Sequence, residues 1–174
     1  NALFQACKAD IWRYCILYDK GGYYFDIKSA CTVPISDLLI SEGATLTYEK
    51  NISPILPSSE ILKLNGYRLN LIANWAFGFK KNHPLLEVII SNIEKEAYYF
   101  RDKIFPNPKS AIISFTGPGM LTKSYMDYLK NLNNEISFNG IDFHEKGIYA
   151  LRGAEYRFKM CVEYGKIINE KILD

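Results

Sequence analysis

The chain has 174 residues, of which 48% are hydrophobic and 23% are charged, a composition typical of one globular domain with a sizeable core. Its net charge of +2 argues against a dedicated nucleic-acid-binding protein, and no apolar run reaches the ~18 residues that a transmembrane helix needs. We therefore interpret residues 1–174 as a single domain.

The start of the sequence and its cysteines are used to predict the cellular compartment of the protein. The sequence begins at Asn1, inside a predicted helix and without methionine, so we expect an upstream segment that this chain lacks. No signal peptide is visible. The four cysteines show no paired metal-ligand spacing, and we interpret them as reduced thiols: Cys7, Cys15, Cys31 and Cys161. Reduced thiols without a targeting signal favour a cytoplasmic or peripheral membrane location.

The first predicted element is a helix over residues 2–20. Its apolar residues at helical spacing are expected to face the core: Ile11, Cys15 and Tyr18. Asp10 and Arg13 lie three residues apart and share one helix face. In a purely structural interpretation they form an ion pair on the protein surface.

A strand over residues 23–27 follows the helix and carries Asp26 to its end. Gly21 and Gly22 separate the two elements, because glycine takes the left-handed conformation that closes a last helical turn. A strand end is a usual place for a functional acid in an open α/β sheet. If the backbone stays extended, Asp26 and Lys28 point to the same side.

The remaining chain alternates between strands and helices, which favours an α/β fold over an all-α fold. Predicted strands cover residues 45–48, 74–79, 136–138 and 148–151; predicted helices cover residues 37–40, 84–102 and a segment that starts at 116–119 and ends near 131. Asn107-Pro108 is interpreted as an interruption of regular secondary structure, and Asn65-Gly66 as a hairpin turn. The tail from residue 155 onward is interpreted as a helix.

Several spacings in this chain match those of a known family. Residues 9–34 contain Asp-x-x-Arg-Tyr, Leu-Tyr and Gly-Gly-x-Tyr-x-Asp, and shorter islands occur at residues 74–84 and 116–119. The pattern resembles the nucleotide-sugar-dependent glycosyltransferases with a DXD motif, in particular the family-32 type, which includes yeast-like mannosyltransferases. Large clostridial glucosylating toxins carry a similar block. The resemblance implies a GT-A-like fold with a mixed, mainly parallel sheet flanked by helices, here the C-terminal part of a longer catalytic domain without its N-terminal strands.

The resemblance also implies a donor-sugar site. The implied catalytic residues are Asp10, Arg13 and Asp26. Asp10 and Arg13 would hold sugar hydroxyls, and Asp26 would hold ribose, sugar or a metal ion. The further substrate-binding residues are Gly21, Gly22, Tyr24, Lys28, Asn74, Trp75, Thr116 and Gly117. Thr116 and Gly117 are expected to act through backbone N–H groups at a helix start. Structural alternatives stay open: Asn74 ties down a loop, and Thr116-Gly117 is a plain turn.

Lys28 departs from the DXD pattern, because the family carries there the acid that binds the divalent ion directly. Mn²⁺ or Mg²⁺ bound through a diphosphate takes one or two carboxylates as well, and Asp26 supplies one. In one interpretation metal binding is weakened and Lys28 pairs with a phosphate oxygen. In the other, Asp26 holds the ion with help from His144 or Glu145.

The implied activity is the transfer of a sugar from a GDP- or UDP-sugar to a hydroxyl group of a glycan, lipid or protein acceptor, with retention of anomeric configuration. No nucleic-acid partner is expected. Two alternatives stay open. A degenerate, non-catalytic domain that binds a sugar or a protein is one, and a bacterial effector that glycosylates a host protein is the other.

Overall fold

The computed structural model describes residues 3–37, 43–49, 71–132, 136, 138–141, 143, 147–150 and 166–174. Its helices are α1 Gln5–Lys20, α2 Pro84–Phe100, α3 Pro108–Phe115 and α4 Pro118–Leu132. Its strands are β1 Gly22–Phe25, β2 Ser29–Cys31, β3 Ala44–Tyr48, β4 Ala76–Phe79, β5 Ile104–Phe105, β6 Phe138–Ile141, β7 Ile148–Ala150 and β8 Glu170–Lys171. A short 3₁₀ helix covers Ile35–Asp37.

The central sheet has the strand order β1-β4-β3-β6. Strand β4 pairs antiparallel with both β1 and β3, whereas β3 and β6 are parallel. The expected mixed sheet flanked by helices is confirmed, but "mainly parallel" is wrong for the described strands. The backbone N–H of Glu49 donates to the carbonyl of Leu71 at 2.7 Å, and that of Ala73 donates to Thr47 at 2.9 Å. The chain that leaves β3 therefore returns beside it in the opposite direction, where a parallel pair would need a crossover.

Helix α1 buries a different face from the predicted one. Cys15 is exposed, and Ile11 and Tyr18 are only half-buried at the edge of the core. The buried residues of α1 are Cys7, Asp10, Arg13, Tyr14 and Leu17. Burial of the two charged side chains is tolerated because they pair with each other and bond to neighbouring groups. The interpretation of Asp10 and Arg13 as a surface ion pair is therefore wrong.

The predicted helix stop and strand are confirmed, with one correction at the strand end. Gly21 has a φ of 70° and donates its N–H to the carbonyl of Leu17 at 2.8 Å, which closes α1. Strand β1 then ends at Phe25 rather than at residue 27. The N–H of Ser29 donates to the carbonyl of Asp26 at 2.8 Å, so residues 26–29 form a tight turn. The extended backbone that would place Asp26 and Lys28 on one side is absent here.

The helices after β4 begin at prolines. Pro84 starts α2, and His83 Nδ1 accepts a hydrogen bond from the N–H of Leu85 at 3.1 Å, which caps the helix. Asn107 caps α3 in the same way, because its Oδ1 accepts from the N–H of Ser110 at 3.1 Å. Asn107-Pro108 is thus a helix start, and its interpretation as an interruption of regular secondary structure is wrong. The helix predicted after residues 116–119 is confirmed as α4.

Two apolar clusters hold the sheet. The larger one joins the four helices to the sheet side chains Leu46, Phe77 and Phe79, and Phe77 stacks with Tyr14 at a ring-centroid distance of 5.9 Å. The smaller one contains Ala76, Phe143 and Ile148. The hairpin turn at residues 65–66, the helix predicted over 37–40 beyond Asp37, His144, Glu145, Cys161 and most of the predicted C-terminal helix lie outside the described residues. In the described part of the chain, no helix has the length and apolar character that a membrane span requires.

Candidate active site

Four separate parts of the chain bring polar side chains together beside the end of β1. Helix α1 supplies Asp10 and Arg13, and the turn after β1 supplies Asp26. Asn74 precedes β4, and Thr116 lies in the corner between α3 and α4. We call these five residues the polar cluster. Every member was predicted as a site residue from the sequence, and their side chains or backbone groups are in direct contact.

Asp10 is the best-anchored member, with both carboxylate oxygens occupied. Its Oδ1 accepts a hydrogen bond from Asn74 Nδ2 at 3.0 Å and lies 3.2 Å from Nη2 of Arg13. Its Oδ2 accepts from Thr116 Oγ1 at 2.9 Å. Only 8% of the Asp10 side chain is exposed. The carboxylate is therefore held in one orientation by groups from three segments.

Arg13 connects the two acids. Its Nη1 donates to the backbone carbonyl of Asn74 and lies 3.6 Å from Oδ1 of Asp26. Its Nε donates to the carbonyl of Ala9 at 3.3 Å, and its guanidinium lies over the ring of Tyr24, 4.2 Å from the ring centroid. The planar fork of a guanidinium suits such a multiply bonded position.

Asp26 is the most accessible charged group of the polar cluster. Its side chain is 28% exposed, against 7% for Arg13. Its Oδ1 accepts a hydrogen bond from the Tyr24 hydroxyl at 2.8 Å, and its backbone N–H donates to the carbonyl of Trp75 at 2.7 Å. No described residue hydrogen-bonds to its Oδ2. Within the described part of the chain, a ligand hydroxyl can therefore bond to this oxygen without displacing a protein partner.

The remaining hydrogen-bonding capacity of the cluster suits a polyhydroxylated ligand. A guanidinium has five N–H donors, and one of those on Nη2 of Arg13 has no partner among the described residues. Oδ2 of Asp10 accepts one bond from the described residues, although a carboxylate oxygen can accept two. Among the described residues, Arg13 thus keeps one unused donor, and Asp10 and Asp26 keep unused acceptor positions, which are the groups that bond to sugar hydroxyls.

Burial dominates the protonation equilibria in the cluster. It raises the pKa of the Asp10 carboxyl, against the attraction of Arg13 and the hydrogen bonds from Thr116 and Asn74. Burial also raises the pKa of the Tyr24 hydroxyl to about 12. Tyr24 therefore stays protonated at neutral pH and can donate to Asp26.

The described residues do not fit the two-carboxylate metal site of a DXD motif. Asp26 offers one carboxylate, and its Oδ1 already accepts from Tyr24 and faces Arg13. Lys28 occupies the position of the second acid and lies in the same tight turn. Within the described residues, no group of three His, Cys, Asp or Glu side chains is arranged to hold a metal ion.

Two of the other predicted site residues lie away from the polar cluster. Gly22 pairs with Phe79, so Gly21 and Gly22 are at the opposite end of β1 from Asp26. A side chain at position 21 would clash with the backbone N of Lys81 at 2.6 Å, so Gly21 serves close packing. Their prediction as substrate-binding residues gains no support from this geometry.

The structure also places Trp75 and Gly117. The role of the half-buried Trp75 as a substrate-binding residue stays a prediction. Trp75 packs edge-on against Phe143 in the smaller apolar cluster, at a ring-centroid distance of 6.0 Å. The N–H groups of Thr116 and Gly117 both donate to the carbonyl of Ile112 at 3.0 Å. These N–H groups are not free for an anion, so the expectation that the turn acts through them is wrong. Thr116 contributes its side-chain hydroxyl instead.

Sequence reasoning missed two buried supports of the cluster. The Tyr14 hydroxyl donates to the backbone carbonyl of Thr116 at 3.1 Å, and the fully buried Cys7 lies one helical turn before Asp10 in α1. Tyr14 directly follows Arg13 in the Asp-x-x-Arg-Tyr spacing, which was the available signal. Cys7 carried only a helical-spacing signal, three residues before Asp10.

Comparison with known proteins gives this arrangement a family context. Residues 2–45 match the model of the "Glycosyltransferase sugar-binding region containing DXD motif". This region contains three members of the polar cluster, Asp10, Arg13 and Asp26.

Curated relatives extend the similarity beyond residues 2–45, and a solved structure was also found. The chain is 27% identical over 137 residues to the "Initiation-specific alpha-1,6-mannosyltransferase" of Candida albicans, covering 72% of this chain and 35% of the relative. It is 33% identical over 122 residues to the "Inositol phosphoceramide mannosyltransferase 1" of Schizosaccharomyces pombe, covering 70% of this chain and 31% of that relative. The solved "PaToxG Glycosyltransferase" aligns with a TM-score of 0.48 and 15% identity, over 74% of this chain and 36% of that one.

The chain thus spans about a third of the length of these curated relatives. The matched region begins in front of α1 and ends at the start of β3, so it includes the turn that carries Asp26 and Lys28. This chain carries the DXD-containing sugar-binding region of the glycosyltransferases, with Lys28 in place of the second acid, and it is related to mannosyltransferases.

Proposed function

We propose that this chain contributes the donor-sugar site of a retaining glycosyltransferase, which moves a sugar from a nucleoside diphosphate donor to an acceptor hydroxyl. The observation that carries the proposal is the polar cluster, in which Asp10 and Arg13 are buried beside the accessible Asp26. An ionisable group whose pKa is shifted by burial beside a specific charge partner is a candidate for a functional site, and Asp10 beside Arg13 is such a group. The names of the mannosyltransferase relatives support mannose as the transferred sugar, and the inositol phosphoceramide mannosyltransferase supports a lipid acceptor. In this proposal the sugar is carried by GDP or UDP, and glycans and proteins are the other acceptors to be tested.

Each charged member of the polar cluster has a proposed role. The unpartnered Oδ2 of Asp26 accepts from a ribose or sugar hydroxyl. Asp10 and the spare Nη2 donor of Arg13 hold further sugar hydroxyls, and the guanidinium offsets charge on the departing diphosphate. In a front-face route the leaving phosphate oxygen takes the acceptor proton while the C1–O bond to the phosphate breaks and the new C1–O bond forms on the same face. This route needs no carboxylate nucleophile, which suits a cluster whose acids are both engaged by Arg13.

We propose further that metal dependence is reduced, on the basis of charge balance. The net charge of the three ionised side chains is −1: Asp10, Asp26 and Arg13. With a second acid at position 28 the net charge would be −2, which a divalent cation would neutralise. Lys28 instead brings the local charge to zero without a metal ion. In this proposal the Lys28 ammonium contacts the diphosphate as a point charge. A metal ion that does bind would be held by the diphosphate and Asp26, and would supply further charge neutralisation.

The proposed function is tested by product analysis. The protein is incubated with GDP- and UDP-sugars and a panel of glycan and lipid acceptors, and donor consumption and product configuration are measured. We expect transfer with retention, and its loss in Asp26→Asn, which keeps the side-chain shape. Asp102→Asn is the matched control, since Asp102 is an exposed acid 3.2 Å from Lys171. Product with inverted configuration, or full activity of Asp26→Asn, would contradict the proposal.

A non-catalytic sugar-binding module is the second candidate, and Lys28 is the observation that favours it. Loss of the second acid is the change that would remove turnover while leaving Asp10, Arg13 and Asp26 to bind a sugar. Binding of a donor sugar without hydrolysis or transfer, under any metal condition, would favour this candidate over the enzyme.

A further inference from the structure

Thr116 connects the corner between α3 and α4 to the polar cluster. Its Oγ1 lies 2.9 Å from Oδ2 of Asp10 and 3.5 Å from the backbone carbonyl of Ile112. Its backbone N–H donates to Ile112 at 3.0 Å, and its carbonyl accepts from the Tyr14 hydroxyl at 3.1 Å. Both backbone groups and the side chain of Thr116 are therefore occupied by protein partners.

Thr116 has no exposed surface, so a sugar ligand cannot contact it in this arrangement. The sequence nevertheless predicted Thr116 as a substrate-binding residue. Any influence of Thr116 on a bound sugar must therefore act through one of its partners, and Asp10 is the partner that belongs to the polar cluster.

The orientation of the Asp10 carboxylate depends on contacts at both of its oxygens. Asn74 and Arg13 contact Oδ1, and Thr116 contacts Oδ2. The Cβ–Cγ torsion of an aspartate is broad, so its carboxylate plane is narrowed by every contact at either oxygen. The Thr116 hydroxyl adds the contact at Oδ2 to those that Asn74 and Arg13 make at Oδ1. Among the described residues, Thr116 is the only one that hydrogen-bonds to Oδ2.

We propose that Thr116 is a positioning residue for the donor-sugar site, whose hydroxyl fixes the plane of the Asp10 carboxylate so that its free acceptor position meets a sugar hydroxyl. The inference rests on the proposed function. It assigns the α3–α4 corner a part in donor recognition, although it is 106 residues from Asp10 in sequence.

The experiment compares Thr116→Val, which keeps the shape and removes the hydroxyl, with Thr116→Ser, which keeps the hydroxyl. We expect kcat/KM for the donor to fall about tenfold or more in Thr116→Val, since a hydrogen bond to a charged group is lost, and to recover largely in Thr116→Ser. Thr122→Val is the matched control. Thr122 is equally buried and its Oγ1 accepts from the N–H of Ile72 at 2.9 Å, but it does not contact Asp10. Melting temperatures of the three variants are measured alongside.

A second readout does not depend on transfer activity. The carboxyl carbon of Asp10 is followed by NMR over a pH series, assigned through its loss in Asp10→Asn. We expect the titration midpoint of Asp10, which is its apparent pKa, to rise in Thr116→Val and to stay unchanged in Thr122→Val. The reason is that the Thr116 hydrogen bond favours the charged form of Asp10. The described titratable groups that interact with Asp10 are the same in both variants: Cys7, Arg13, Tyr14, Tyr24 and Asp26.

The two readouts separate the two claims. If the unmodified protein transfers no sugar from any donor, the proposed function fails, while the NMR midpoint still decides whether Thr116 holds the Asp10 carboxylate. An unchanged midpoint overturns the positioning role. So does a loss of kcat/KM in Thr122→Val equal to that in Thr116→Val, since the effect would then come from stability alone.

Discussion

Arg13 Nη1 lies 3.6 Å from Oδ1 of Asp26, so the helix that opens the chain is bound directly to the turn that ends the first strand. The same guanidinium lies 3.2 Å from Asp10 Oδ1, and it therefore joins a buried acid to an accessible one. This bridge makes the Asp-x-x-Arg spacing and the downstream Asp26 one physical unit.

Removal of the Asp10 carboxylate should lower both activity and stability. Asp10→Ala leaves a buried guanidinium with only its more distant acid partner, and we expect a loss of about 3 kcal/mol in the free energy of unfolding. For a domain of this size that is a fall of about 6–12 °C in melting temperature. Transfer should also be abolished. Thermal unfolding and transfer assays measure the two effects.

The control for Asp10→Ala is Asp102→Ala, which breaks an exposed ion pair with Lys171. Exposed pairs contribute about 0–1 kcal/mol, so this variant should unfold and react like the unmodified chain. Equal, small stability losses in both variants would mean that Asp10 is not the buried, paired acid described here.

The hydroxyl of Tyr24 should matter for donor binding more than for folding. Tyr24→Phe keeps the ring over the Arg13 guanidinium and removes the hydrogen bond to Asp26 Oδ1. We expect a rise in the donor KM of about tenfold and a stability loss of about 1 kcal/mol or less. Tyr98→Phe, at a position 87% exposed, is the control and should change neither quantity. A large fall in melting temperature with an unchanged KM would assign Tyr24 a purely structural role.

Lys28→Asp should restore metal dependence. Two acids in one turn raise the local negative charge, so transfer should become dependent on Mn²⁺ and sensitive to chelator. Lys28→Gln removes the ammonium without adding an acid, so it distinguishes the two effects. It should weaken donor binding without creating a metal requirement. Measurement of kcat/KM in Mn²⁺ and in chelator distinguishes the three proteins. If the unmodified chain already loses all activity in chelator, the charge-balance argument is wrong.

The pH dependence of stability provides a test of Asp10 burial. Because burial raises the pKa of Asp10 in the folded state, its contribution is fully present below the unfolded pKa and is lost as pH rises through the folded value. The stability of the unmodified chain relative to Asp10→Asn should therefore decrease from about pH 4 toward neutral pH. Urea unfolding at several pH values measures the difference. A difference that increases with pH would show that attraction by Arg13 outweighs burial.

The sequence predicted those parts of the fold that local chemistry determines. The Gly21 helix stop requires a positive φ, and Pro84 starts a helix because the missing N–H costs nothing there. Both features act within a few residues and were predicted correctly. The same holds for the helix start after Thr116-Gly117.

Long-range contacts explain what could not be predicted. The buried face of α1 depends on Asn74 and Thr116, which lie 64 and 106 residues away from Asp10. Local apolar spacing favoured Ile11 and Cys15 instead, because it cannot account for polar partners elsewhere in the chain. The predicted site residues were largely brought together, but the way in which Thr116 contributes depended on contacts that only the tertiary structure provides.

The most direct test of the polar cluster as a donor-sugar site is a thermal-shift panel of GDP- and UDP-sugars, each with Mn²⁺ and with chelator, on the unmodified chain and on Asp26→Asn. A donor at a concentration of one hundred times its dissociation constant raises the free energy of unfolding by about 2.7 kcal/mol. For a chain of this size, the melting temperature then rises by several degrees. We predict such a shift for one nucleotide class, retained in chelator and absent in Asp26→Asn. No shift with any donor, or an equal shift in Asp26→Asn, would contradict the assignment of the site.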